Sequence, residues 1–327
     1  MPKQTLMKRD PLWVPLLSHY RDDGSIDHDR MKAHLDQLAA HVTQIMLAGS
    51  TGDGWEIGND RLSSLVDFAA RAMGAGTRLM VGTLAPGTDD VIARVNLVES
   101  QVAADPALAE RFVGVTVCPP VEPGADQERI MAHYNAVFAR TSSQVSVYQL
   151  PQVTGCTIMP ETFSKLATNP RVIMFKDSGG SDEVAESVAD CGQVSMLRGA
   201  EGGYAEAVSG QGYGGWLLSS ANAFGKELRE IEAALRQGDM EKATRLSDTL
   251  GKLISRLFAA ASDESGANAF SNANRAADHL RAYGKSWKSA PAPYKQNGER
   301  LSQSLIAQAA DICAEMIDLA EAGYLHR

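Results

Sequence analysis

A lysine closes an apolar run in "VIMFKDSGG", where Val172 to Phe175 lead into Lys176, an acid, a serine and two glycines. At the end of a hydrophobic strand a lysine is partly desolvated, and desolvation favours the neutral amine. A neutral amine can attack a ketone and form a Schiff base, and the iminium then stabilises a carbanion at the neighbouring carbon. A salt bridge to Asp177 is the competing use of the same side chain. Tyr148 closes an earlier apolar run, "VSVYQLP". Its spacing from Lys176 suits one strand–helix–strand step, which sets the phenol beside the amine as a proton shuttle. "GSTG" adds Gly49, Ser50 and Thr51, a turn whose backbone N–H groups and hydroxyls suit a carboxylate. Packing of the tyrosine and a plain turn are the ordinary alternatives for these two. Together, an amine, a proton shuttle and a carboxylate cradle fit a 2-keto acid such as pyruvate.

Such residues need a scaffold that gathers strand ends. Short apolar runs recur at 12–17, 44–48, 78–83, 112–117, 144–149, 172–176, 194–198 and 215–219, each of buried-strand length. Helix-like segments such as "DRMKAHLDQLAAH" and "NDRLSSLVDFAARAMGAG" separate them. Eight strands alternating with helices predict an α/β chain folded as a (β/α)8 TIM barrel, residues 1–223. A doubly wound sheet would carry a glycine-rich loop after its first strand, and "WVPLLSHYRDDGS" has none. Residues 224–327 read as a C-terminal helical extension without strands. "KELREIEAALRQGDMEKATRLSDTLGKLISRLFAAA" is helical on both sides of a Gly-Asp turn, and "SQSLIAQAADICAEMIDLAEAG" is a further helix. "AYGKSWKSAPAPYKQNGER" between them reads as an irregular surface connection. In a barrel the C-terminal strand ends face the active site. That rule adds Ser178, Gly199, Glu201 and Ser219 as residues lining the rest of a substrate pocket.

The bulk properties narrow the partners. The chain has 327 residues, 44% of them hydrophobic, and a net charge of −9. That charge disfavours nucleic acid and anionic lipid. Its four cysteines, Cys118, Cys156, Cys191 and Cys313, lack metal-ligand spacing and read as small buried thiols. The seven histidines show no H-x-x-x-H pattern, so no metal site is expected. No signal peptide and no apolar run of ~18 residues is visible, which leads us to expect a soluble, cytoplasmic protein.

Four segments, "AGSTGDGWEI", "VYQLPQVTG", "MFKDSGG" and "GGWLLSSAN", resemble in order and spacing the signature segments of the dihydrodipicolinate synthase / N-acetylneuraminate lyase family. "DGSIDHDRMKAHLDQL" resembles the family's first helix entry. The resemblance spans roughly residues 11 to 260, and the tail suits the family's C-terminal helices. It implies a class I aldolase in which Lys176 forms the Schiff base, Tyr148 is the YxxP tyrosine, and Ser50 and Thr51 bind the keto-acid carboxylate. It implies no metal or organic cofactor beyond the covalent lysine imine, and a homo-oligomer, tetramer or dimer. Neither name-giving activity is expected. Val153 stands where the synthases carry an anion-binding arginine, and Pro120 and Val121 where they carry a relay tyrosine. Only Glu201 remains of the two acids that sialic acid lyases use, and Asp53 replaces a glutamate.

The sequence thus predicts a lyase acting on a 2-keto acid, by pyruvate-dependent aldol cleavage or condensation with a neutral or hydroxylated aldehyde. The same imine would serve a dehydratase of a 2-keto-3-deoxy sugar acid. A non-catalytic keto-acid sensor is the alternative of another class, and it would need neither Lys176 nor Tyr148.

Overall fold

Eight short, almost wholly buried strands order the chain: β1 (Leu12–Pro15), β2 (Gln44–Leu47), β3 (Arg78–Gly82), β4 (Phe112–Val117), β5 (Val145–Gln149), β6 (Val172–Asp177), β7 (Ser195–Arg198) and β8 (Trp216–Leu217). Each pairs in parallel with the next, and β8 returns to β1, closing the barrel. The computed structural model describes residues 10–188 and 192–326. All eight expected strands are present, with ends moved by a residue or two. β8 loses most at its ends, keeping two residues of the expected five.

Helices fill the connections: α1 (His28–Leu38), α2 (Asn59–Ala72), α3 (Thr88–Ala104), α4 (Pro106–Arg111), α5 (Gln127–Arg140), α6 (Pro151–Thr154), α7 (Pro160–Ala167), α8 (Glu183–Ser187), α9 (Tyr204–Ser209) and α10 (Ala221–Gln237). Their starts are chemically marked. Asp27, Asp105 and Asp126 accept hydrogen bonds from first-turn amides of α1, α4 and α5. Strand side chains divide between two apolar layers. Leu12, Val14 and Phe175 belong to the large layer under the helices. Trp13, Met46, Met80, Met174, Leu197 and Leu217 form a separate plug inside the barrel.

After α10 come α11 (Met240–Ala260), α12 (Ala269–Tyr283) and α13 (Gln303–Cys313). Gly238, at φ 76°, and the N-cap Asp239 make the expected Gly-Asp turn between α10 and α11. α12 is a helix that the sequence pattern does not reveal, and α13 stops at Cys313, short of the expected span. The 282–300 segment departs from a plain surface connection. Its Tyr294 makes bridges to Tyr20 and Arg300, and Lys295 is buried against Glu264 at 3.0 Å. An ammonium paired in this way can leave the surface. Cys118, Cys156 and Cys313 are buried free thiols, and Cys191 lies outside the described residues. No described helix is long and apolar enough to cross a membrane.

Candidate active site

Tyr148 on β5 and Lys176 on β6 are direct register partners. Their side by side placement follows from parallel pairing, as the spacing predicts. Both are almost fully buried, at 2% and 3% exposure, and the lysine Nζ lies 3.9 Å from the centre of the tyrosine ring. Met174, two residues earlier on β6, belongs to the apolar plug. With a two-residue strand period, Lys176 therefore rises from that plug towards the C-terminal mouth. Asp177 turns elsewhere: its carboxylate accepts from the Gly179 amide at 2.8 Å and the Tyr213 hydroxyl at 3.2 Å. Burial raises the Asp177 pKa above the ordinary carboxylate range. Gly199, at the end of β7, passes very close to the amine. A Cβ there would stand 2.9 Å from Lys176 Cε and 2.3 Å from Ser178 Oγ, so any larger residue would displace both side chains.

The 49–54 turn is built on a strained residue. Ala48 has a left-handed φ of 49°. Its carbonyl oxygen lies where a Cβ on Gly54 or Gly82 would be only 1.9 or 2.1 Å away, so both glycines are needed for the turn to close. The amides of Gly52, Asp53 and Gly54 donate to Gly49 and Ser50 carbonyls within the turn. The expected nest is therefore narrower, and an anion there meets Ser50 and Thr51. Gly49 precedes the short 3-10 turn as an extended residue and does not line the cavity. Trp55, unnoticed in the sequence, donates its indole N–H to Ser50 Oγ at 2.9 Å. An indole only donates, so the Ser50 proton is left to point at an acceptor.

A cavity of about 330 Å³ joins these groups. Ser50, Thr51, Tyr148, Lys176, Ser178, Gly199, Glu201 and Ser219 all line it. Lys176 is its only cation and Glu201 its only acid among the described residues. Glu201 is fully engaged: Oε1 accepts from Ser219 Oγ and the Ser220 amide, Oε2 from Tyr204 and Ser220 hydroxyls. Val153 is exposed and its neighbour Gln152 lines the cavity instead. The remaining wall comes from Leu150 after β5, Ile254, Ser255 and Phe258 of α11, and Phe270 of α12. None of these is legible as a site residue before the C-terminal helices are seen to fold over the mouth.

α12 also braces the turn from behind. Asn268 Nδ2 donates to the Ser50 carbonyl and Ser271 Oγ to the Thr51 carbonyl, both at 2.9 Å. Arg275, fully buried, pairs with Asp53, which also accepts from the Tyr20 hydroxyl at 2.9 Å. Asp53 thus has an assignable task, holding α12 to the turn. Further along, His19, His34 and Asp278 come together, with ligand-capable atoms within 4.8 Å of one another. No sequence spacing announced that cluster. Its atoms face one another rather than a common point: His19 Nε2 meets His34 Nδ1 at 3.0 Å, and His34 Nε2 meets the Asn222 carbonyl at 2.9 Å. Arg30 and Tyr324 hold Asp278. A guanidinium at that distance opposes a metal cation, and burial holds both imidazoles below their ordinary pKa. The cluster is a polar brace of the C-terminal region.

Comparison with known proteins agrees with this architecture. The model of the dihydrodipicolinate synthetase family matches residues 9–269. A 4-hydroxy-tetrahydrodipicolinate synthase of Xanthomonas campestris pv. campestris is 29% identical over 240 residues, covering 71% of this chain and 76% of that protein. Among solved structures, YagE of E. coli K12, a prophage protein of the dihydrodipicolinic acid synthase family in complex with pyruvate, superposes with a TM-score of 0.77 at 18% identity. That match covers 94% of this chain and 98% of YagE. KD(P)GA from T. tenax superposes with a TM-score of 0.73 at 19% identity, covering 94% of this chain and all of that one. A family match over most of the length, on a closed eight-stranded barrel, places this chain in the dihydrodipicolinate synthetase family of lyases and aldolases.

Proposed function

We propose that the protein is a Schiff-base-forming lyase that breaks or makes a carbon–carbon bond beside a 2-keto acid. The observation that carries this is the buried pair Tyr148 and Lys176, held as register partners at the barrel mouth. The pyruvate bound in the similarly folded YagE supports the choice of keto acid.

In the cleavage direction the Lys176 amine attacks C2 of a 4-hydroxy-2-keto acid. Tyr148 passes a proton to the carbonyl oxygen, water leaves, and a protonated imine remains. Ser50 and Thr51 hold the carboxylate by hydroxyl donation. The phenolate of Tyr148 then takes the C4 hydroxyl proton, and the C3–C4 bond breaks. Its electron pair forms the enamine and C4 leaves as an aldehyde. Protonation at C3 and hydrolysis by water release pyruvate and restore the amine. The iminium is the electron sink, so the reaction as proposed needs no cofactor.

The test is borohydride reduction in the presence of pyruvate, with peptide mass analysis. A pyruvate adduct on Lys176 is expected, and Lys176→Ala should lose both adduct and turnover. Tyr148→Phe should turn over roughly a hundredfold more slowly or worse, the scale of lost general acid–base catalysis. Near-normal rates in Lys176→Ala would rule the mechanism out.

A further inference from the structure

Resting on the imine chemistry above, we propose that the aldehyde partner carries an apolar substituent, aromatic or branched aliphatic, rather than a polyol or anionic chain. Two independent features of the cavity point this way.

The first is the state of its only acid. A carboxylate has about four lone-pair sites, and Glu201 receives four donors from Tyr204, Ser219 and Ser220. It has no site left for the hydroxyls of a sugar chain. The Ser219 proton is committed to it as well. Because Lys176 is the only lining cation among the described residues, and as the iminium its charge is matched by the keto-acid carboxylate, an anionic chain finds no further cation.

The second is the wall that the C-terminal helices supply. Phe258 of α11 and Phe270 of α12 stand edge to face with ring centres 5.0 Å apart, and both line the cavity. Both are only partly buried, whereas Ile254 and Leu150 beside the cavity are closed in. Against these surfaces a polar aldehyde loses water and keeps only the lining Ser178 and Ser255 hydroxyls and the Gln152 amide, while an aryl ring gains contact and edge-to-face packing.

The experiment uses the purified full-length protein, pyruvate, and benzaldehyde or D-glyceraldehyde as acceptor. The 4-hydroxy-2-keto acid product is quantified by chromatography, and borohydride trapping of the pyruvate imine is run on the same sample. Benzaldehyde should have a kcat/KM at least about tenfold above glyceraldehyde, the discrimination a matched apolar pocket can supply. Phe258→Ala should shrink that ratio, chiefly through KM for benzaldehyde. A trapped imine with glyceraldehyde equal or preferred would overturn the apolar assignment alone. A protein that traps no imine would overturn the lyase mechanism and this proposal together.

Discussion

At the scale of single residues the site depends on which hydroxyl protons are free. Ser50 Oγ accepts from Trp55, so its own hydrogen is directed away from the indole and is left for another acceptor. The indole takes up the serine's acceptor side, but it cannot carry a proton onward. Ser50 is therefore a fixed donor rather than a link in a proton chain. Trp55→Phe keeps the ring and removes the N–H. One hydrogen bond of about 0.5–1.5 kcal/mol predicts a roughly two- to tenfold fall in kcat/KM for the keto acid, with the melting temperature lowered by no more than a few degrees. Steady-state kinetics beside a thermal melt would check this, and an unaltered kcat/KM would remove Trp55 from the site. The placement of Lys176 and Tyr148 side by side at the cavity was legible because each ends an apolar strand and their spacing suits one strand–helix–strand step. Trp55 was not legible, since its task appears only when the turn folds it back over Ser50.

Among the elements, α12 is the one whose meaning changes most between sequence and structure. A surface helix reveals itself by an apolar stripe, but α12 buries Asn272, Asn274, Arg275, Asp278 and His279. Its polar residues face inward, so a hydrophobic pattern cannot find it. The strands could be found because each is buried on both faces and reads as a short apolar run. What α12 does follows from its bonds: it braces the Ser50–Thr51 turn and anchors it through Arg275 and Asp53. Asp53→Asn leaves a buried guanidinium without its counter-charge. Breaking such a pair costs about 3–5 kcal/mol, and a raised KM for the keto acid should accompany that loss as the turn loosens. Urea unfolding of the variant beside the parent measures the first, and initial rates in pyruvate measure the second. A loss below about 1 kcal/mol, the range of exposed pairs, would mean that the anchor is not used.

For the whole molecule, the histidines set how the fold meets acid. His133 of α5 is fully enclosed, its Nδ1 held by Thr88 Oγ1 at 2.9 Å, and burial pushes its pKa from the ordinary 6.5 down to about 4. His19, His34 and His279 are buried as well and shifted in the same direction by desolvation. In the unfolded chain an imidazole takes a proton near pH 6.5. The native state refuses it until the folded pKa is reached. Between those values the unfolded state binds more protons, so stability is complete above pH 6.5 and declines as the pH falls. At about 1.4 kcal/mol per pKa unit, His133 alone accounts for a loss on the order of 3 kcal/mol by pH 4. Asp177 and Glu56 act in the opposite sense, since burial raises both, Glu56 to about 7, and protonation then favours the native state, but two carboxyls oppose four imidazoles. Unfolding free energy measured at pH 7, 5.5 and 4.5 should therefore fall steadily, with net proton uptake on unfolding. His133→Asn should flatten the slope by up to about 1.4 kcal/mol per pH unit across this window. A parent protein equally stable at pH 7 and 4.5 would show that these imidazoles are already protonated in the native state.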